Sequence, residues 1–378
     1  MTCPNGAGDW KDKTMNLEGK RVLVVGSGKS GVAAAELLRK KGITFVLFDG
    51  NKDLDVTALI EKNPVFAGAE ILLGELAPED MARIDLVVLS PGVPTDLPMV
   101  NELRNRQIPI WGEIELAYHF AKGRIIAITG TNGKTTTTSL VGEIMANYFD
   151  DVKVVGNIGI PYTSVAANTT EDTVTVAEIS SFQLETTHEF APEVTAILNI
   201  TPDHLNRHHT MENYIAAKAN IFKNQDENDF TILNYDDEAV RALSTKCNSQ
   251  VLYFSRKHQG VRGIYLNNEG NIVINIDKEI VLLHEDELSL PGGHNLENCM
   301  AATLAAYVSG IDIEVIREVL KTFKAVEHRL EYVKTVNGVM YVNDSKGTNP
   351  DSTIKAVTSY KKPIILIAGG YDKDSTYD

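Results

Sequence analysis

Twice in this sequence a short apolar run, rich in β-branched residues, breaks into a glycine-rich turn and continues as a helical pattern. The first turn is Gly26-Ser27-Gly28-Lys29-Ser30-Gly31, after Arg21–Val25. The second is Gly130-Thr131-Asn132-Gly133-Lys134-Thr135, after residues 125–129. A strand that feeds a helix through a tight glycine turn is the repeating step of a parallel sheet with helices on its faces. Apolar runs at 44–48, Leu86–Leu89 and 108–111, with helical spacing at 32–41 and 99–106, extend the first series. A second series begins near Gly123, with strands expected at Arg124–Thr129, 173–179, 195–200 and Phe230–Asn234. After Val251 the texture becomes hairpin-like, at Gly263–Leu266, 270–276 and Glu279–His284, with Asn267-Asn268 and Asp277-Lys278 as turns. Helices are expected at 295–309 and 313–323. A third unit then starts near Val326, with a strand at Val339–Asn343, a helix after Pro350 and a strand at 363–368.

The first turn fits G-x-G-x-x-G and has Asp49 at the end of the next strand, some twenty residues on, which is the setting of a dinucleotide fingerprint. Glycines let backbone approach a diphosphate at a helix N-terminus, where aligned dipoles favour anions. The motif selects a diphosphate and leaves the nucleotide open. The second turn is a shortened phosphate loop, because Ile128 stands where the strict pattern has its first Gly. Its chemistry is unchanged: backbone donors cradle phosphates, Lys134 sits by the β and γ oxygens, and the Thr135 hydroxyl can ligate Mg²⁺. An ATP site beside a separate diphosphate turn is hard to reconcile with an NAD-dependent oxidoreductase, the rival that the first turn alone would suggest. The expected fold class is therefore α/β. A polar lead-in (1–16) precedes a Rossmann-like domain (17–112), a central P-loop ATPase-like α/β domain (113–325) and an incomplete C-terminal Rossmann-like domain (326–378). Some fifty residues is short for an independent α/β domain.

Further candidates lie at strand ends, where sites gather in such sheets. Glu178 ends an apolar strand and is either a Mg²⁺ ligand or an ordinary strand-end acid. His204, in Thr201-Pro202-Asp203-His204, is either a metal ligand or a solvated loop histidine. Lys218 stands alone in the largely apolar helix YIAAKANIF (214–222). Such a lysine usually snorkels; desolvated, its amine is nucleophilic and can add CO₂ to become a metal-binding carbamate. Asn295 and Asn298 share a helix face and can read an adenine edge, or Asn295 can cap the helix. Arg329, Asp344 and Lys346 can serve phosphate and ribose, and Gly369-Gly370-Tyr371-Asp372-Lys373 follows the expected last strand.

With 36 Lys and Arg against 51 Asp and Glu, the net charge of −15 disfavours general binding to nucleic acid or anionic membrane. No apolar run approaches the roughly 18 residues of a membrane helix, and residues 1–15 have no apolar core of a secretory signal. Cys3, Cys247 and Cys299 are odd in number and far apart, which argues against a disulfide framework or a cysteine zinc site. A cytoplasmic protein is expected.

Taken together these segments resemble the Mur ligase family. GTNGKTTT, GNIG (156–159), EISSFQLE (178–185), TPDHLNRHHTMENYIAAKANIF, GGHNLEN, HR and NDSKGTNP stand in that family's order, from about Leu17 to Lys373. The GSGKSG turn, Ser90-Pro91-Gly92, Gly112-Glu113-Ile114-Glu115-Leu116 and SSFQLE resemble its D-glutamate-adding branch. The resemblance implies an ADP-forming ligase of peptidoglycan precursor synthesis that joins D-glutamate to UDP-N-acetylmuramoyl-L-alanine through an acyl phosphate. It implies that the 26–31 turn holds UDP, with Asp49 near uracil or ribose, and that Ser90, Pro91, Gly92, Asn157 and Ser180 serve the muramoyl substrate. It implies that ATP lies on Gly130 to Thr136, Asn295, Asn298, Arg329, Asp344 and Lys346. Thr135 would ligate one Mg²⁺, and Glu178, His204 and a carbamylated Lys218 a second. Lys134, His204 and Lys218 would be the catalytic set, and Lys373 would lie near D-glutamate. A monomer is expected.

Two departures qualify the likeness. Family members usually continue well past the GG-x-D-K segment, and Asp374 stands where Gly commonly follows that Lys. Either a fragment or a compromised final step is expected. A folylpolyglutamate synthase is the rival within the chemistry, but in the family picture it lacks the N-terminal Rossmann-like unit. A non-catalytic nucleotide-binding module is the remaining alternative.

Overall fold

The computed structural model describes residues 17–157, 159–324, 330–358, 360 and 362–370. By contact the chain divides into two compact units. One comprises the described residues up to Arg124 together with Val155–Ala191, and the other Ile125–Val154 together with the described residues from Pro192 onward.

The first unit is built on a five-stranded sheet of Arg21–Val25 (β1), Thr44–Asp49 (β2), Glu70–Leu73 (β3), Leu86–Leu89 (β4) and Ile110–Gly112 (β5). Their order is β3-β2-β1-β4-β5 and every pairing is parallel. The order reverses at β1, so the loops after β1 and β4 diverge at the carboxyl edge, where such sheets bind ligands. β-branched and aliphatic runs leave β1, β2 and β4 largely buried on both faces. Leu23, Val25, Val46, Phe48, Val87 and Leu89 form a core with Val100 and Leu103 from the helix Pro98–Asn105. The sequence pattern missed β3, whose residues are only partly buried.

The second unit continues from Arg124–Thr129 (β6) through the helix Lys134–Ala146. Val152–Gly156 (β7) and Val174–Glu178 (β8) follow in the chain. Val194–Ile197 (β9), Phe230–Asn234 (β10), Gln250–Ser255 (β11), Gly263–Leu266 (β12), Asn271–Asn275 (β13) and Glu279–His284 (β14) complete the series. From β6 the order runs β9-β10-β11-β12-β13-β14. The pairs from β6 to β12 are parallel, and β12-β13-β14 is an antiparallel meander. In helix Lys134–Ala146 four threonines follow Lys134, and threonines are poor helix formers. Burial against the helix Gly293–Val308 compensates, since Thr135 to Thr138 are all buried.

Beyond the 325–329 segment, Glu331–Val336 (β15) pairs with Val339–Asn343 (β16) through an Asn337-Gly338 turn, both residues having positive φ (50° and 79°). This is the two-residue chemistry that closes a hairpin. The helix Pro350–Thr358 follows. The strand expected at 363–368 is not formed. Residues 363–370 carry no strand assignment, and Ile365 and Ile367 are over 90% exposed (91% and 94%). An apolar β-prone run becomes a strand only when another strand takes its ladder hydrogen bonds, and among the described residues none does so here. Among the described residues no helix is long and apolar enough to cross a membrane.

Candidate functional site

In the second unit the phosphate loop joins β6 to the helix Lys134–Ala146. Gly133 precedes that helix with φ 86°, a conformation that favours glycine. The loop is fastened to the strand end beyond β9. The Thr131 N–H donates to the Asn199 carbonyl (2.9 Å), the Asn132 N–H to Asn199 Oδ1 (2.8 Å), and Asn199 Nδ2 returns to the Asn132 carbonyl (3.0 Å). The Thr131 hydroxyl meets the Thr201 carbonyl and the Tyr214 hydroxyl, each at 3.1 Å.

Two ammonium groups converge on this loop. Lys134 Nζ donates to the carbonyls of Gly130 and Thr131, both at 2.9 Å. Lys218 Nζ donates to the same Gly130 carbonyl at 2.9 Å and lies 4.6 Å over the Tyr214 ring. Lys218 is 1% exposed, so it does not snorkel to water. Its helix, Met211–Ala219, ends before the expected 222 and passes into a 3₁₀ turn, Asn220–Phe222.

His204 adopts a left-handed backbone (φ 55°) at the start of the short helix Leu205–His208, with Nε2 3.6 Å from Asp203 Oδ2. Asn349, in the NDSKGTNP segment, donates to Asn132 Oδ1 (3.1 Å) and Asp203 Oδ2 (3.4 Å). Sequence reasoning singled out that segment for Asp344 and Lys346 and missed Asn349. Its neighbour Pro350, at the start of a helix, was the available signal that the asparagine sits at a fixed turn.

A cavity of about 140 Å³ opens beside the loop, lined among others by Asn132, Gly133, Thr136, Asn295, Asn298 and Asp344. Asn295 and Asn298 are buried on one helix face. Asn298 Oδ1 accepts from the Thr137 hydroxyl (3.3 Å), and Asn295 Nδ2 donates to the Pro291 carbonyl (2.8 Å). Each amide offers two donor and two acceptor sites, so each keeps hydrogen-bonding capacity beyond these contacts. Lys346 is exposed and is not among the cavity's lining residues. Arg329 and Lys373 lie outside the described residues.

In the first unit, Gly26 has φ 96°, and a Cβ on Gly31 would come within 1.9 Å of the Gly26 carbonyl oxygen. Both glycines are therefore required for the turn that brings the helix Lys29–Lys40 against β1. A Cβ at Gly28 would meet nothing within 4 Å, leaving its side open. Asp49 accepts from the Ser27 N–H (3.0 Å) and hydroxyl (2.5 Å). Burial works to raise the Asp49 pKa, but these bonds and the Asn51 N–H outweigh it and hold the carboxyl below its usual range. Ser90 Oγ is buried beside Gly26 and Gly31 without a protein hydrogen-bond partner. Pro91 and Gly92 continue that loop, closed by the Val93 N–H on the Ser90 carbonyl (2.9 Å). Lys29 Nζ donates to the Gly159 carbonyl at 2.5 Å, and Ser30 lies in the first turn of the helix.

The first unit also holds Asn157, Glu178 and Ser180. Asn157 donates through Nδ2 to Glu178 Oε1 and through its backbone to the Glu178 carbonyl, both at 2.8 Å. Ser180 caps the helix Ser181–Leu184 in a capping box with Gln183. Among the described residues no group of three or more His, Cys, Asp or Glu side chains is arranged to hold a metal ion.

Sequence profiles agree with these two glycine turns. That of the Mur ligase MurD-like N-terminal domain matches residues 20–112, and that of the Mur ligase middle domain matches residues 128–306. The chain belongs to the Mur ligase family. Among Mur ligases it is 53% identical over 364 residues to the UDP-N-acetylmuramoylalanine–D-glutamate ligase of Lachnoclostridium phytofermentans, covering 96% of this chain and 80% of that protein. It is 54% identical over 365 residues to the enzyme of the same name from Clostridioides difficile, with the same coverage. In fold it is similar to MurF of Acinetobacter baumannii (TM-score 0.57, 17% identity, 89% of this chain and 70% of that one). It is similar too to UDP-N-acetylmuramate-alanine ligase MurC of Thermotoga maritima (TM-score 0.53, 21% identity, 90% and 77%).

Proposed function

We propose that this Mur ligase adds D-glutamate to UDP-N-acetylmuramoyl-L-alanine with conversion of ATP to ADP and phosphate, as a cytoplasmic step of peptidoglycan precursor synthesis. The observation that carries the reading is the identity of about half to relatives of that name over 96% of the chain. The 26–31 turn takes the UDP diphosphate, with the Ser90 hydroxyl beside it, and Asp49 holds Ser27 in place for it. Asn157 and Ser180 serve the muramoyl part, and Lys373 the D-glutamate.

The phosphate loop fits ATP. Gly133 leaves its backbone clear, Lys134 supplies the cation, and the cavity beside Asn295 and Asn298, lined also by Leu198, Phe254 and Leu290, is apolar enough for a base. Lys134 exchanges its two carbonyl contacts for phosphate oxygens when ATP binds. The substrate carboxylate attacks the γ-phosphorus in line, giving an acyl phosphate and ADP. The D-glutamate amine then adds to the acyl carbon and phosphate leaves. Lys134 offsets the charge that builds on the transferring group. Magnesium would supply further charge neutralisation, one ion on the Thr135 hydroxyl and a second for which Glu178, His204 and a carbamylated Lys218 are the candidate ligands.

Lys218 is the ligand that must change charge to serve. Its neutral amine adds CO₂ to form a carbamate with loss of one proton. The carbamate keeps an N–H, so the bond to the Gly130 carbonyl survives. The burial of Lys218 supports this reading, because a desolvated ammonium is disfavoured.

The test is thermal protection. UDP should raise the unfolding midpoint, by about 2.7 kcal/mol of stabilisation at a hundred times its dissociation constant. NAD⁺ should not. An equal or larger shift with NAD⁺ would overturn the assignment of the first turn.

A further inference from the structure

Asn349 serves its own helix and the phosphate loop with a single amide. Its Oδ1 accepts the Ser352 N–H (2.8 Å), which caps the start of the helix Pro350–Thr358. Ser352 Oγ donates in turn to the Asn349 carbonyl (2.8 Å). With the oxygen committed to the cap, Nδ2 faces away from the helix. There it donates to Asn132 Oδ1 (3.1 Å) and to Asp203 Oδ2 (3.4 Å).

Both acceptors are themselves held. Asn132 is tied through its backbone N–H and carbonyl to the side chain of Asn199. The Asp203 side chain is 9% exposed, and its Oδ1 accepts the His204 N–H (2.9 Å). Asn349 therefore meets fixed partners, and the orientation of its amide is set from both ends.

The cavity beside the phosphate loop is lined by Asn132, Gly133 and Thr136, and also by Asp344, Ser352 and Lys355 from the stretch that carries Asn349. The Asn349–Asn132 bond joins these two contributors across 217 residues of chain. Apolar packing does little to seat the later stretch. In the hairpin that leads into it, Tyr332, Val333, Val339 and Tyr341 are each at least half exposed, and Ile354 in its helix is 62% exposed. Little burial means little hydrophobic stabilisation, so polar contacts carry more of the seating.

We propose that Asn349 is a positioning residue for ATP: it clasps the 344–358 segment to the phosphate loop, so that both contributors to the cavity are in place when the nucleotide arrives. The proposal rests on the reading that this cavity takes ATP. Asparagine fits the place because one short side chain offers an acceptor for the cap and a donor for the loop.

Reversing the clasp tests it. Asn349→Asp keeps the cap acceptor, loses the donor and sets a carboxylate against Asp203. Asn349→Ser keeps a good cap and is too short to bridge to the loop partners. Adding Asp203→Asn to Asn349→Asp restores one arm with its direction reversed, because the amide at 203 donates to the carboxylate at 349. Asp203→Asn has effects of its own through His204, so Asn349→Asp is compared within each background, where those effects cancel.

Calorimetry should show ATP with Mg²⁺ binding about tenfold more weakly to Asn349→Ser, as loss of one hydrogen bond implies, and at least as weakly to Asn349→Asp. In the Asp203→Asn background, Asn349→Asp should leave ATP binding unchanged or tighten it. UDP binding, which belongs to the first unit, should not move in any variant. A role confined to the helix cap would leave ATP affinity untouched, since both substitutions keep the cap. Wild-type affinity in Asn349→Ser would overturn the proposal, as would an equal loss for Asn349→Asp in the two backgrounds. Where Asn349→Asp does not fold, Asn349→Ser decides alone; failure of both to fold overturns the proposal, because a change that keeps the cap should not unfold the chain. The measurement needs no turnover. A wild-type protein that binds no ATP would refute the reading of the cavity and the proposal with it, whereas ATP binding that Asn349→Ser leaves intact would refute the clasp alone.

Discussion

Gly133→Ala perturbs the phosphate loop at a position where the cost can be worked out. Gly133 has φ 86° and ψ −14°. Holding a Cβ-bearing residue in the left-handed region costs about 1–2 kcal/mol. The added Cβ would lie 2.3 Å from Asn298 Oδ1 and 3.3 Å from Leu198 Cδ1. Asn298 is buried and held by the Thr137 hydroxyl, so it cannot swing into water. Overpacking of this kind adds about 1–3 kcal/mol, for a total of about 2–5 kcal/mol. In thermal unfolding, 1 kcal/mol moves the midpoint of a unit this size by about 2–4 °C. Asn298→Ala alone should cost about 1 kcal/mol for the lost hydrogen bond. Adding Gly133→Ala to Asn298→Ala should then restore only the backbone cost, because the clashing oxygen is gone. The double variant should be more stable than the sum of the singles by the overpacking share, about 1–3 kcal/mol. Strict additivity, or a loss under 1 kcal/mol for Gly133→Ala alone, would refute the reasoning. ATP affinity by calorimetry should fall in every variant that displaces Asn298.

Lys134→Ala should abolish ATP turnover while shifting stability by about 1 kcal/mol or less, since the hydrogen bonds it gives to Gly130 and Thr131 go to carbonyls of a loop; turnover near the wild-type rate would refute the phosphate-loop assignment. Lys218→Ala should lose most activity and regain part of it with added acetate, and mass spectrometry of the native protein in bicarbonate should show added CO₂; no rescue and no added mass would count against the carbamate. With Lys218 as the free ammonium, before any CO₂ is added, His208 is held down to about 4 from its ordinary 6.5, first by burial and then by the positive charge of Lys218 and Arg207. Between those values the unfolded chain binds a proton that the folded chain does not. Stability should therefore be complete above pH 6.5 and fall as pH drops toward 4, by about 3 kcal/mol. His208→Phe should flatten that slope, and an unchanged slope would contradict the assignment.

Local chemistry made much of the fold readable. Strand–glycine–helix steps placed β1, β6 and the helices after them, because backbone conformation there depends on residues adjacent in sequence. The two glycine turns and the Asn295 and Asn298 face were legible for the same reason. What escaped depends on distant partners. Glu113 and Glu115 stand in the sequence only as part of a family-like motif, and their burial depends on Thr163 and on residues 188–190, whose N–H groups they accept. Asn349 gains a role only through Asn132 and Asp203. The run at 363–368 has strand composition, but a strand needs a neighbour, and composition does not supply one.

The central claim is the reaction itself. The protein should be incubated with ATP, Mg²⁺, UDP-N-acetylmuramoyl-L-alanine and D-glutamate, with phosphate release and product mass followed together. The account predicts phosphate release that requires all four components, and a nucleotide product heavier by one glutamyl residue. Amide formation with another amino acid in preference to D-glutamate, or on UDP-N-acetylmuramate without its alanine, would contradict it.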